Sequence, residues 1–219
     1  KHNATVGTSS NRRKAQLLSL RPDLEFTDLR GNLQTRIQKL RDEKYDAIVL
    51  AKAGVTRIDM DLSDFHIVEI APVEVIPAPA QGVLAIQIRE TDKDLFDTLQ
   101  KLNNAAVAKT IAVERKVLNM FDAGCHAPLG CYCREKDGKF EAWTSIADTN
   151  EDFPDRYYLQ SETTEGMAEK IFAKYQKDRK LPSSVFISRD LDEHSYLAKS
   201  LKKHNIAIPY AGGDEISRK

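Results

Sequence analysis

The segment Gly7-Thr8-Ser9-Ser10-Asn11-Arg12-Arg13 follows the short apolar run Ala4-Thr5-Val6. It places backbone N–H groups, three hydroxyls and two guanidiniums where a helix begins, an arrangement suited to an anion. Taken alone, it reads equally as an ordinary capped helix carrying a solvated arginine pair. Arg30-Gly31-Asn32 and Arg36 extend the pattern, and Arg57 after Ala53-Gly54 adds a further cation. Guanidinium is the side chain for two-pronged capture of carboxylate or phosphate, and five arginines at successive strand ends are hard to explain as scatter. A second chemical feature is Cys125 in the small-residue turn Ala123-Gly124-Cys125-His126. Such a cysteine is a covalent attachment point or a buried small apolar residue. Cys131 and Cys133 alternate along a strand. A zinc set of Cys125, His126, Cys131 and Cys133 remains open, although the spacing is not that of a finger or ribbon. His66, His194 and His204 read as surface or structural residues.

The elements that must position these groups follow from periodicity. Val6 closes a strand, Ser9 or Ser10 caps a helix through about Leu20, and Arg21-Pro22-Asp23 stops it. Leu24 to Leu29 reads as a strand, Asn32 to Lys44 as a helix with Leu33, Ile37 and Leu40 on one face, and Ala47 to Ala51 as a buried strand. This β-α-β-α-β order predicts an α/β fold with a mostly parallel sheet and ligands at the strand-to-helix turns. From Ile67 to Arg89 the chain is expected to be an extended connector carrying Pro72, Pro77 and Pro79, and a domain boundary belongs there. Asp92 to Leu102 and Ala105 to Phe121 read as helices, the second with Val107, Ile111, Leu118 and Phe121 on one face. Beyond Cys125 the pattern becomes α+β. A hairpin of Leu129 to Glu135 and Phe140 to Ala147 turns at Lys136-Asp137-Gly138, Tyr157 to Gln160 adds a third antiparallel strand, and a helix from Thr164 to Lys177 covers the sheet. Val185 to Ser188, Asp192 to His204 and Ile206 to Ile208 form one last β-α-β unit. It is too small to enclose a core, so it docks through Leu197 and Leu201 or opens a further domain.

Composition narrows the function classes. The chain has 219 residues, 41% of them hydrophobic plus 10 glycines, which suits a folded protein and argues against disorder. Lys and Arg number 33 and Asp and Glu 33, yet residues 1–57 hold 12 cations against 6 anions, so the positive charge is concentrated at one end. Zero net charge with 7% aromatics argues against nucleic acid as a partner. No apolar run approaches the ~18 residues of a membrane span and Lys1-His2-Asn3 does not open a signal peptide, so no membrane is expected. Three cysteines agree with a reducing, cytoplasmic setting.

The ordered set Val6-Gly7-Thr8-Ser9-Ser10-x-Arg12-Arg13, Arg21-Pro22-Asp23-Leu24, Leu29-Arg30-Gly31-Asn32-x-x-Thr35-Arg36, Tyr45-Asp46-Ala47-Ile48, Ala53-Gly54-x-x-Arg57, Gln81-Gly82 and the Cys125 turn resembles porphobilinogen deaminase, also called hydroxymethylbilane synthase, over residues 4–178. The resemblance implies a transferase of haem biosynthesis that condenses four porphobilinogens, each losing ammonia, into hydroxymethylbilane. It implies a dipyrromethane cofactor in thioether linkage to Cys125. Thr8, Ser9, Ser10, Arg12, Arg13, Arg30, Gly31 and Arg36 would contact that cofactor, and Arg12, Arg36 and Arg57 the substrate carboxylates. Porphobilinogen and the growing polypyrrole are the implied ligands, and no metal is called for.

The resemblance covers the second and third domains of the family. The N-terminal domain with its catalytic aspartate is expected to be missing, which leaves no catalytic residue here and predicts an inactive fragment. The expected layout is an anion-binding domain over 1–80, a crossover strand and helix over 81–102 that normally meet the missing domain, a cofactor-attachment domain over 103–180, and an extension over 181–219. Val185 to Tyr210 also resembles the opening of uroporphyrinogen-III synthase. The β-α-β-α-β part is similar to one lobe of periplasmic-type binding proteins, so a non-catalytic lobe for a small anion is the alternative. Cys125 separates the two, because a binding lobe needs no cofactor cysteine.

Overall fold

Ala4 and Val6 are buried around Thr5, and the run forms β1 (Thr5–Gly7). A Cβ at Gly7 would stand 2.9 Å from the Tyr45 ring, so only glycine lets the chain pass there. Ser10 caps α1 (Asn11–Leu20) by accepting the Arg13 N–H, and Arg21-Pro22 ends it. β2 (Glu25–Thr27) and β3 (Ala47–Ile48) flank β1 in parallel, in the order β2-β1-β3, with α2 (Leu33–Arg41) between them. Asn32 caps α2 through the Thr35 N–H at 2.8 Å. The computed structural model describes residues 1–57, 60–122, 127–178 and 196–203, and the chain divides into two units, Lys1–Phe172 and Ala173–Lys219.

Two expectations for this sheet need correction. The second strand is three residues long rather than six. The third is two residues long and not buried, with Ala47 exposed and Ile48 half-buried. Ladder partners explain both lengths: β1, the central strand, is itself only three residues long. A short turn of helix, α3 (Lys52–Val55), follows.

Residues 83–89 form no strand, and Leu84 is 83% exposed. The helix expected next is α4 (Lys93–Gln100), and it buries none of its residues, leaving Leu95 and Phe96 about half exposed. α5 (Ala105–Met120) is present with Asn104 as its cap, but it is rotated from the expected face. Thr110, Val113, Glu114 and Val117 are buried while Val107 is exposed.

The second sheet is antiparallel, β4 (Leu129–Lys136), β5 (Lys139–Ile146) and β6 (Asp155–Ser161) in that order. Asp137 and Gly138 turn the hairpin with φ of 52° and 74°, values that favour a short polar residue and glycine. Even-numbered β5 residues face inward, so Phe140 and Ala142 join Cys131, Cys133, Val113 and Val117 in one core. α6 (Met167–Asp178) closes that core with Met167, Ala168 and Ile171. The chain is thus a mixed α/β protein in which helices cover a small three-stranded antiparallel sheet. In the second unit α7 (Tyr196–Lys203) has Leu201 buried, but Leu197 is 50% exposed. The two strands expected around it lie outside the described residues.

Candidate functional site

Parallel strands deliver their carboxyl ends to one edge of the β2-β1-β3 sheet, and the turn after each carries candidate side chains. The three hydroxyls after β1 are largely committed to the backbone. Ser9 Oγ donates to the Leu29 carbonyl at 3.2 Å and accepts the Leu29 N–H at 3.0 Å. Thr8 Oγ1 accepts the Ser10 N–H at 3.3 Å, and Ser10 Oγ accepts the Arg13 N–H at 3.4 Å. Thr8 and Ser10 therefore keep their own O–H protons for a ligand, and Ser9 does not. After β2, Gly31 has a φ of 118°, and a Cβ there would lie 2.9 Å from Thr35. Glycine is required on both counts.

The arginines separate into two groups. Arg12 is nine-tenths buried and donates from Nη1 to the Ile76 carbonyl at 2.7 Å and from Nη2 to Gln81 Oε1 at 3.2 Å. Burial first, and then the charge of Arg13, pull its pKa down to about 10. Half-buried Arg13 donates to the Val49 carbonyl at 2.8 Å, and burial followed by the charge of Arg36 lowers its pKa. Arg36 reaches the Gly31 carbonyl from Nε at 2.8 Å. None of these three has a carboxylate partner among the described residues, whereas Arg21 pairs with Asp23, Arg41 with Asp64 and Arg134 with Glu141. Arg30 belongs with the paired ones, exposed and 3.2 Å from Asp28. Arg57 is exposed. Of the five expected arginines, then, three are linked electrostatically and two stand apart.

Residues beyond the expected set complete the arrangement. Gln16 is fully buried one turn after Arg12, and its amide grips both polar groups of Ile76, donating to the carbonyl at 3.0 Å and accepting the N–H at 2.7 Å. Glu114 is buried on α5 and accepts the Ala80 N–H at 2.6 Å and the Cys133 N–H at 2.7 Å. Burial raises the pKa of this carboxyl against the pull of the two N–H groups. The sequence signals were modest: a glutamine four residues after an arginine, and one acid inside an apolar helix stripe.

Burial holds both described thiols silent. Cys133 is pushed up to about 12 by burial and then by the Glu114 charge, and Cys131 is raised by burial, then by the charges of Glu114 and Cys133. Cys125 and His126, with the attachment and zinc expectations that involve them, lie outside the described residues. Among the described residues no helix is long and apolar enough to cross a membrane.

Residues 1–97 match the family model for porphobilinogen deaminase, dipyromethane cofactor binding domain. The porphobilinogen deaminase of Fusobacterium nucleatum is 46% identical over 140 residues, 63% of this chain and 46% of that protein. That of Oceanobacillus iheyensis is 48% identical over 130 residues, 59% of this chain and 41% of its own length. That of Bacillus thuringiensis is 47% identical over 131 residues, again 59% of this chain and 41% of its own. The chain thus spans less than half the length of the curated relatives it matches, and over that stretch it is similar to porphobilinogen deaminases.

Proposed function

We propose that this chain supplies the carboxylate-binding and cofactor-attachment parts of a porphobilinogen deaminase, the transferase that joins four porphobilinogens head to tail with loss of ammonia. One observation carries the reading: Arg12, Arg13 and Arg36 are cations without carboxylate partners among the described residues, and burial, then the charge of Arg13 on Arg12 and of Arg36 on Arg13, lowers the pKa of the first two. A desolvated, unpaired guanidinium is costly until an anion arrives. Every pyrrole of the substrate carries an acetate and a propionate, so a chain of pyrroles brings the charges that are lacking.

A dipyrromethane fits the same chemistry, because its four carboxylates match the donor set of guanidiniums and free hydroxyl protons. Cys125 would hold it covalently, with Thr8, Ser10, Arg12, Arg13, Arg30 and Arg36 around it and Gly31 leaving room. Ser9 would act through the Leu29 backbone instead. When bound, the group supplies the terminal pyrrole carbon to which each new unit is joined. Arg12, Arg36 and Arg57 would take the carboxylates of the incoming substrate. Their contribution is positioning and offsetting of negative charge, and no general acid or base is assigned within this chain. The parallel β2-β1-β3 order supports reading residues 1–80 as a lobe of periplasmic-binding type; 81–102 would be the crossover, though without a strand over 83–89, 103–180 the attachment domain and 181–219 an extension.

Intact mass tests the reading. Chain produced in cells that make porphobilinogen is expected to carry the added mass of a dipyrromethane, and Cys125→Ser to lose it. An unmodified wild-type chain that binds inorganic phosphate but not porphobilinogen would overturn the proposal in favour of a simple anion-binding lobe.

A further inference from the structure

Residues 76–81 lie against α1, α5 and β4, and side chains hold both backbone polar groups of Ile76 at one end and the Ala80 N–H at the other. From α1, Gln16 grips Ile76 at both N–H and carbonyl, and Arg12 shares that carbonyl. The Cys131 N–H donates to the Pro77 carbonyl at 3.0 Å. A Cβ on the adjacent Gly130 would fall 2.7 Å from the Ile76 oxygen, so the backbone is pressed against the sheet. At the far end Ala80 has a φ of 60°, a left-handed conformation that an alanine adopts only at a cost. Its N–H is held there by Glu114. Gln81, the next residue, accepts both the Ala78 N–H at 3.1 Å and the guanidinium of Arg12.

Arg12 therefore rests on two acceptors, the Ile76 carbonyl and the Gln81 side chain, whose places are set by other residues. We propose that Gln16 and Glu114 are positioning residues, which clamp the two ends of segment 76–81 and so fix the buried guanidinium of Arg12 for an anionic ligand. This rests on the carboxylate-binding reading above. The clamp uses groups that do not pair with Arg12: a neutral amide, and a carboxylate spent on two backbone N–H groups. Arg12 thereby gains support without being neutralised. Had a carboxylate stood in the place of Gln16, it would have been the partner that the ligand is needed to be.

The test is a double-mutant cycle read by calorimetric titration of the folded 219-residue chain with porphobilinogen. Gln16→Leu is expected to weaken binding about tenfold, and to add almost nothing in an Arg12→Lys background, because its effect passes through Arg12. Combined with Arg13→Lys, which does not touch the segment, the same change should add in full. Glu114→Gln reaches the segment from the opposite side and should repeat the pattern should Gln16→Leu fold poorly; far-ultraviolet circular dichroism confirms the fold of each variant. Undiminished binding by both variants, or losses that add equally in the Arg12→Lys and Arg13→Lys backgrounds, would overturn the positioning role alone. Absence of saturable porphobilinogen binding by the wild-type chain would overturn the carboxylate-binding reading and this proposal with it.

Discussion

A guanidinium already holding a carboxylate has little left for a ligand, and that distinction ranks the arginines. Arg21 donates to both carboxylate oxygens of Asp23 at 2.6 Å. Arg21→Leu is expected to leave porphobilinogen affinity within about twofold. Arg13→Leu and Arg36→Leu each remove an unpaired cation, and hydrogen bonds to charged groups are worth about 1.5–3 kcal/mol, so losses of roughly ten- to a hundredfold should appear in titration. Arg30→Leu should fall between, since Asp28 competes for that side chain. Glu114 allows a pH test. Burial holds its folded pKa above the ordinary carboxyl value of about 4.5, so between those two values the folded state holds more protons than the unfolded one. The carboxyl's contribution to stability is therefore full below about pH 4.5, declines as pH rises through the window, and is lost above the folded value. Gln does not titrate. Urea unfolding across pH should show the stability gap between wild type and Glu114→Gln shrinking with rising pH and then levelling; a gap that grows would contradict the raised pKa.

Elements in this chain are secured by backbone approach as much as by apolar burial. Gly130→Ala would force a methyl group against the Ile76 carbonyl, backbone that Gln16 and Arg12 hold in place, and overpacking of this kind costs about 1–3 kcal/mol. Gly138→Ala is the control, because nothing lies within 4 Å of the added carbon and only the left-handed φ opposes it, at about 1 kcal/mol. Thermal melts should therefore place Gly130→Ala below Gly138→Ala; the reverse order would show that the close approach carries no load. Exposed apolar residues behave differently. Leu84 stands almost wholly in solvent, and Leu84→Lys is expected to change stability by less than about 0.5 kcal/mol.

Across the whole molecule the two described thiols are buried. Cys131 and Cys133 lie in the core against Val113 and Met167, with thiolate formation suppressed. A folded Cys125→Ser chain is expected to resist iodoacetamide at pH 8 and to take up two equivalents once denatured, as mass spectrometry would show; rapid native labelling would contradict the burial. Local chemistry was legible in the sequence by itself. Ser9 or Ser10 and Asn32 announced their helices, Asp137-Gly138 its turn, the period-two run of Phe140, Ala142 and Ile146 its inner face, and the ordered arginine motifs the similarity to porphobilinogen deaminases. Such signals act over a few residues, so neighbours along the chain suffice to set them. Arg21 and Arg30 meet acids two residues away, but tertiary structure alone brought Asp64 to Arg41 and left Arg12, Arg13 and Arg36 without a carboxylate among the described residues. It also chose the buried face of α5. Val107, Ile111, Leu118 and Phe121 made a sound apolar stripe, and Phe121 does pack on the core, yet the helix turns Glu114 inward, where it accepts the backbone N–H groups of Ala80 and Cys133, 34 and 19 residues away.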